Sequence, residues 1–206
     1  MYNVARKLVL TLTQKEILIE LAKKNNGVLL TKQANELGIS RAIIKELVDI
    51  GVLQSVQSGI YVTKDGYADD FFLIGQKYRK GIFSHETALY LLGFSDRAPN
   101  KIVMTFNHGT STSRFKEDDI RPVMISDNLV LGESEIKRNG LAIRVYSIER
   151  TLVDLLKPRY DADLEQLIPA LKKYAGYSKK DINKLFEYAR IFNVEEIMRG
   201  YMGVLL

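Results

Sequence analysis

The chain has 206 residues, 46% hydrophobic and 27% charged, with a formal net charge of +5. That much apolar surface suits packed cores and argues against a disordered chain. Cysteine is absent and histidine occurs only twice, at His85 and His108. Disulfides, cysteine zinc sites and cysteine nucleophiles are therefore excluded, and no basis exists for a histidine-rich metal centre.

No apolar run approaches the length of a membrane span. The N-terminal stretch MYNVARKLVLTLTQKE lacks a long apolar run followed by a small-residue cleavage site, so no secretory signal is expected and a cytoplasmic location is. Residues 1–65 hold 9 Lys/Arg against 6 Asp/Glu, and residues 97–160 hold 11 against 8. The excess is modest and permits an acidic polymer as partner.

Thr13-Gln14-Lys15-Glu16 has capping-box spacing, and Ile17, Leu18, Leu21 and Ala22 follow as one apolar face. Asn25-Asn26-Gly27 stops that helix. A second short helix is predicted with Thr31 as cap and Ala34 and Leu37 facing inward, then a tight turn at Gly38. Ser40 is the predicted cap of a third helix whose inner face is Ile44, Leu47 and Val48. The β-prone runs VLQSVQ and GIYVT, joined by Ser58-Gly59, predict a hairpin. Three short helices and a terminal hairpin describe a winged helix-turn-helix. Its third helix would enter the major groove with Ser40, Arg41 and Lys45 near base edges. Lys32, Gln33, Gln54, Gln57, Ser58 and Lys64 would touch phosphates or the minor groove.

Residues 68–92 read as helical, with Phe71, Phe72, Ile74 and Tyr78 as buried candidates. Within them, His85-Glu86 invites a catalytic reading. The residue at the spacing of a second zinc-protease histidine is Leu89, however, and no cysteine can pair with His85. Ser84 reads as an N-cap, Glu86 as a first-turn acid, and Gly93 as a stop. His85 is thus expected to be structural or on the surface. After Pro99-Asn100 a β-rich stretch is predicted, with strands KIVMTF and RPVMIS and a hairpin at Asn139-Gly140. Helix returns over 148–157, with Ile148, Leu152, Leu155 and Leu156 on one side and Pro158 ending it. Residues 161–206 predict three amphipathic helices.

The predicted fold class is α+β: an N-terminal winged helix-turn-helix over residues 1–80, then a mixed α/β domain over 81–206, with strands in 101–147 and helices in 148–206. Arg114, Lys116, Arg121, Lys137 and Arg138 of the second half are candidates for further phosphate contacts. A rival chemistry is a Mg²⁺ nuclease built on Glu133, Glu135 and Lys137 with Asp118, Asp119 or Asp127. The bland alternative is a charged hairpin surface. We expect no enzyme activity, no cofactor and no metal.

The segments Ser84-His85-Glu86-Thr87-Ala88-Leu89, Gly93-Phe94-Ser95-Asp96 and Ser147-Ile148-Glu149-Arg150-Thr151-Leu152-Val153-Asp154-Leu155-Leu156, with the tail NKLFEYARIFNVEEIMRGYMGVL, occur in that order. So ordered, they resemble the AbiEi antitoxins of bacterial type IV toxin–antitoxin (abortive infection) systems. The resemblance implies double-stranded DNA as one partner, namely inverted repeats in the protein's own promoter, which it would repress. It also implies a C-terminal domain that counteracts a nucleotidyltransferase-like toxin without a stable complex.

Overall fold

A computed structural model describes residues Thr13 to Leu205. Residues 1–12, most of the stretch on which the expectation of no secretory signal rests, lie outside the described residues. The fold is mixed α/β, with nine α-helices and two sheets among those residues. It divides into two compact units. One holds the described residues up to Leu73 together with Lys137–Leu141, the other Ile74–Ile136 with Ala142 onward.

The first unit begins with α1 (Gln14–Lys24), where the predicted capping box forms: Thr13 accepts from the Glu16 N–H, and the Thr13 N–H donates to the Glu16 carboxylate. Strand β1 (Val28–Leu30) runs straight into α2 (Thr31–Glu36). The predicted cap at Thr31 is displaced by one position. Leu30 is the N-cap, Thr31 is buried inside the helix, and Gln33 Oε1 accepts from the Leu30 N–H in place of a hydroxyl. Ser40 does precede α3 (Arg41–Asp49), but its side chain makes no capping bond. Strands β2 (Leu53–Gln57) and β3 (Ile60–Thr63) form the expected hairpin, and β1 joins β3 antiparallel to give the order β1-β3-β2. β1 escapes a sequence reading because three residues carry no periodicity. Leu18, Ala22, Leu29, Ala34, Ile39, Ile44, Leu47 and Leu53 make one core, while Leu37, expected to face inward, is 54% exposed.

The stretch read as one helix over 68–92 is broken. It becomes α4 (Asp70–Lys77), β4 (Ile82–Phe83) and α5 (His85–Leu91). Pairing of Ile82 and Phe83 with a later strand breaks it, and at the break a Cβ on Gly81 would lie 2.6 Å from the Phe106 ring and 2.7 Å from the Met104 side chain. The chain at Gly81 packs against these two side chains of β5 (Ile102–Asn107), and Ile82 and Phe83 pair with Thr105 and Met104. Of the four apolar residues expected to be buried in α4 and just after it, only Phe72 is.

The second sheet has the order β6-β5-β4-β8-β7, with β6 (Ile120–Ile125), β7 (Glu133–Arg138) and β8 (Leu141–Tyr146). β5 and β6 are parallel, as are β4 and β8, whereas β4 and β5 are antiparallel. Asn139 and Gly140 both have positive φ, as a two-residue primed turn demands. The crossover from β5 to β6 contains no helix. It is pinned by Phe115, which stacks on Phe106 at 4.5 Å and meets Tyr78 edge-on at 5.3 Å. The predicted helices α6 (Ile148–Leu155), α7 (Leu164–Ala175), α8 (Ile182–Ile191) and α9 (Glu195–Leu205) all form. They enclose the main core of this unit, which includes Leu152, Leu171, Tyr174, Leu185 and Met198.

Two glycines predict opposite outcomes. Gly27 has φ +81, and a Cβ on it would sit 2.3 Å from the Gly66 backbone, so Gly27→Ala is expected to cost more than about 2 kcal/mol. Gly200 lies inside α9 with open space around it, so Gly200→Ala is expected to gain about 0.5–1 kcal/mol. Denaturant unfolding of both variants checks the pair. A neutral Gly27→Ala contradicts the close approach.

Candidate functional site

In the first unit, α3 buries Ile44 and Leu47 and turns Arg41, Ala42 and Lys45 to solvent. Arg41 and Lys45 are one helical turn apart, so their cations share a face. Lys32 is exposed on α2, with Glu36 at 3.8 Å. Ser40, Gln54, Ser58, Lys64 and Lys137 are exposed as well. Three other candidates have partners within the protein. Gln33 caps its own helix through Oε1, Gln57 Nε2 donates to the Leu73 carbonyl, and Arg138 grips Asp69.

Asp69–Arg138 is the least exposed ion pair among the described residues of this unit. Asp69 is 5% exposed, and its Oδ2 accepts from Arg138 Nε at 3.1 Å and pairs with Nη2 at 3.0 Å. Asp69 Oδ1 accepts from the Phe71 N–H, and the guanidinium lies over the Phe71 ring.

In the second unit, Arg114, Lys116 and Arg121 are exposed; the Arg114 carbonyl accepts from the Tyr78 hydroxyl, and the Arg121 guanidinium lies 4.4 Å from the Tyr160 ring centre. The carboxylates of the nuclease reading are dispersed. Arg144 holds Glu133 and its pKa below the usual carboxylate range, Lys77 and Tyr78 bind Asp118, and Lys101 is near Asp119. Among the described residues, no three His, Asp or Glu side chains converge on a metal position.

Sequence reasoning missed the polar side of α6. Its apolar stripe is buried as expected, but so are Glu149, Arg150, Thr151 and Asp154. Arg150 Nε donates to Asp154 Oδ2 at 2.9 Å, and Nη1 donates to the Leu129 and Leu131 carbonyls. Its guanidinium lies between Phe192, 4.0 Å away, and Tyr146, 4.4 Å away. Lys157 adds a second cation to Asp154 at 2.5 Å, and burial lowers that lysine's pKa against the pull of Asp154. Glu149 accepts from the Tyr174 hydroxyl and the Asp181 N–H. The one signal was the Arg-x-x-x-Asp spacing, which places Arg150 and Asp154 on one helix face.

His85 lies beside this network. It is 2% exposed, against the expectation that left a surface position open, and it has φ +53 at the first residue of α5. The other non-glycine residues with positive φ among those described are Asn or Asp, and none of them is buried. Such backbone costs about 1–3 kcal/mol and persists only when packing over-determines it. Here Tyr160 stacks on the imidazole at 3.9 Å, and Ser84 Oγ lies 3.0 Å from Nδ1 while accepting from Thr105 Oγ1. Ser84 is the N-cap by position, but its hydroxyl serves this chain rather than the helix.

No family model matches the chain, and no curated protein does. Among solved structures, the crystal structure of the RV2827C protein from Mycobacterium tuberculosis is similar at a TM-score of 0.49 and 16% identity, over 84% of this chain and 70% of that one. Among the described residues, no helix is long and apolar enough to cross a membrane.

Two outcomes follow from the buried charges. Arg150→Leu leaves Asp154 with one cation and is expected to cost about 3–5 kcal/mol, while Arg150→Leu/Asp154→Leu costs less than the two single changes combined. Additive losses in chemical unfolding would remove the coupling. Burial pushes the His85 pKa down from 6.5 to about 4. The unfolded chain then binds the proton more readily, so this contribution is complete above pH 6.5 and is lost as pH falls toward 4. The loss is on the order of 3 kcal/mol. His85→Asn, which tolerates the left-handed backbone, should have a shallower stability slope than the parent between those pH values.

Proposed function

We propose that the chain is a DNA-binding autorepressor and antitoxin of the AbiEi kind. The first unit is read as a winged helix-turn-helix, in which α2 and α3 form the helix-turn-helix about Gly38 and the β2–β3 hairpin is the wing. The observation that carries this reading is the exposed pair Arg41 and Lys45 on α3, opposite the buried Ile44 and Leu47. An arginine there can form a bidentate contact with guanine, and a lysine one turn on meets base or phosphate. Exposed Lys32, Ser58, Lys64 and Lys137 extend the polar, largely basic surface. The antitoxin role of the second unit is supported by the ordered motifs resembling that family. Its partner is then a nucleotidyltransferase-like toxin, and no catalysis by this chain is required.

Arg41→Ala/Lys45→Ala is expected to weaken binding by about 1–3 kcal/mol per base contact in gel shifts on the DNA upstream of its own reading frame. Unchanged affinity would sink the assignment of α3. Arg114→Ala/Lys116→Ala tests whether the second unit also binds phosphates. For every phosphate left without its cation, the slope of log affinity against log salt should fall by about 0.9. Co-expression with a downstream nucleotidyltransferase-like frame tests the antitoxin role, since growth arrest by that frame should be relieved by the full chain.

A further inference from the structure

A cleft of about 370 Å³ opens in the second unit; polar and apolar surface share its lining, and Glu86, Arg97, Lys101, Arg121, Asp161 and Gln166 are the groups that matter. They come from the start of α5, the segment leading into β5, the start of β6 and the entry to α7. Arg97 and Asp163 satisfy one another at 3.0 Å, and Lys101 reaches Asp119 at 3.4 Å. Among the described residues Arg121 has no ion pair, and with Asp161 it remains to face the cleft, while Glu86 is held by the neutral hydroxyl of Tyr160. Glu86 directly follows the strained, buried His85, so the left-handed turn sets the path of the backbone that carries it.

Both charge signs are present and unneutralised, which selects the ligand. A phosphate would gain from Arg121 but meet two carboxylates, and a polyamine would meet the guanidinium. A nucleobase finds no open ring to stack on, because Arg121 covers one face of Tyr160 at 4.4 Å and His85 stacks on the ring at 3.9 Å. We propose that this cleft binds a free α-amino acid, its carboxylate on the Arg121 fork and its ammonium between Glu86 and Asp161. The site is separate from the DNA-binding reading and does not depend on it.

The test is isothermal titration calorimetry of the full chain with the proteinogenic L-amino acids, with inorganic phosphate and putrescine alongside. At least one amino acid should bind saturably at concentrations up to about 10 mM, and phosphate and putrescine should not. Asp161→Asn keeps a residue that tolerates positive φ, and Glu86→Gln keeps an acceptor for Tyr160. Each should weaken binding about tenfold or more while leaving the melting temperature of the free protein unchanged. Absence of saturable binding by every amino acid overturns the proposal. So does binding of phosphate or putrescine in place of an amino acid, or amino-acid binding that ignores both substitutions.

Discussion

A guanidinium shut away from water organises the second unit. Arg150 is fully buried, and an ion in that position needs good acceptors: Nε and Nη1 have them, while Nη2 has no hydrogen-bond partner among the described residues. Those acceptors come from separate parts of the chain: Asp154 one turn along α6, and the carbonyls of Leu129 and Leu131 in the segment between β6 and β7. Phe192 and Tyr146 flank the charged plane from the end of α8 and the end of β8. Gly132 belongs to the same constraint, since a Cβ there would lie 2.7 Å from Arg150 Cβ. One side chain therefore fixes a loop, a strand and two helices, and the hydrophobic core closes round it.

The polar chain at the start of α5 works by the same logic with neutral groups. Ser84, His85 and Thr105 exchange hydrogen bonds in a buried site, and the imidazole stays uncharged because water is excluded. A catalytic dyad would need the imidazole and the carboxylate to face one another. Instead the Glu86 carboxylate is turned to the Tyr160 hydroxyl, and the imidazole is packed under that same ring. The pair is split between a buried and a half-exposed environment.

Much of the architecture was legible because period and punctuation agree. The Thr13–Glu16 box, the Asn139-Gly140 turn and the stripes of α7 to α9 each have a local cause, and each forms. The failures share a different origin. β1 and β4 are too short to show alternation, and they exist through pairing with β3 and β5, which no local signal announces. The helix read across 68–92 failed because Ile82 and Phe83 suit either state, and tertiary pairing decided. At the candidate sites, exposure of Arg41 and Lys45 follows from helix periodicity. The engagement of Arg138 by Asp69 does not, because 69 residues separate the two.

That last pairing has a consequence for the order in which the protein can be made. The ribosome releases Asp69 well before Arg138, and nearly half of the second unit emerges between them. Until then a carboxylate destined for burial must remain hydrated, so the first unit can reach its final state only after the hairpin tip has been synthesised. Its maturation is therefore timed by a segment that, in sequence, lies inside the other unit.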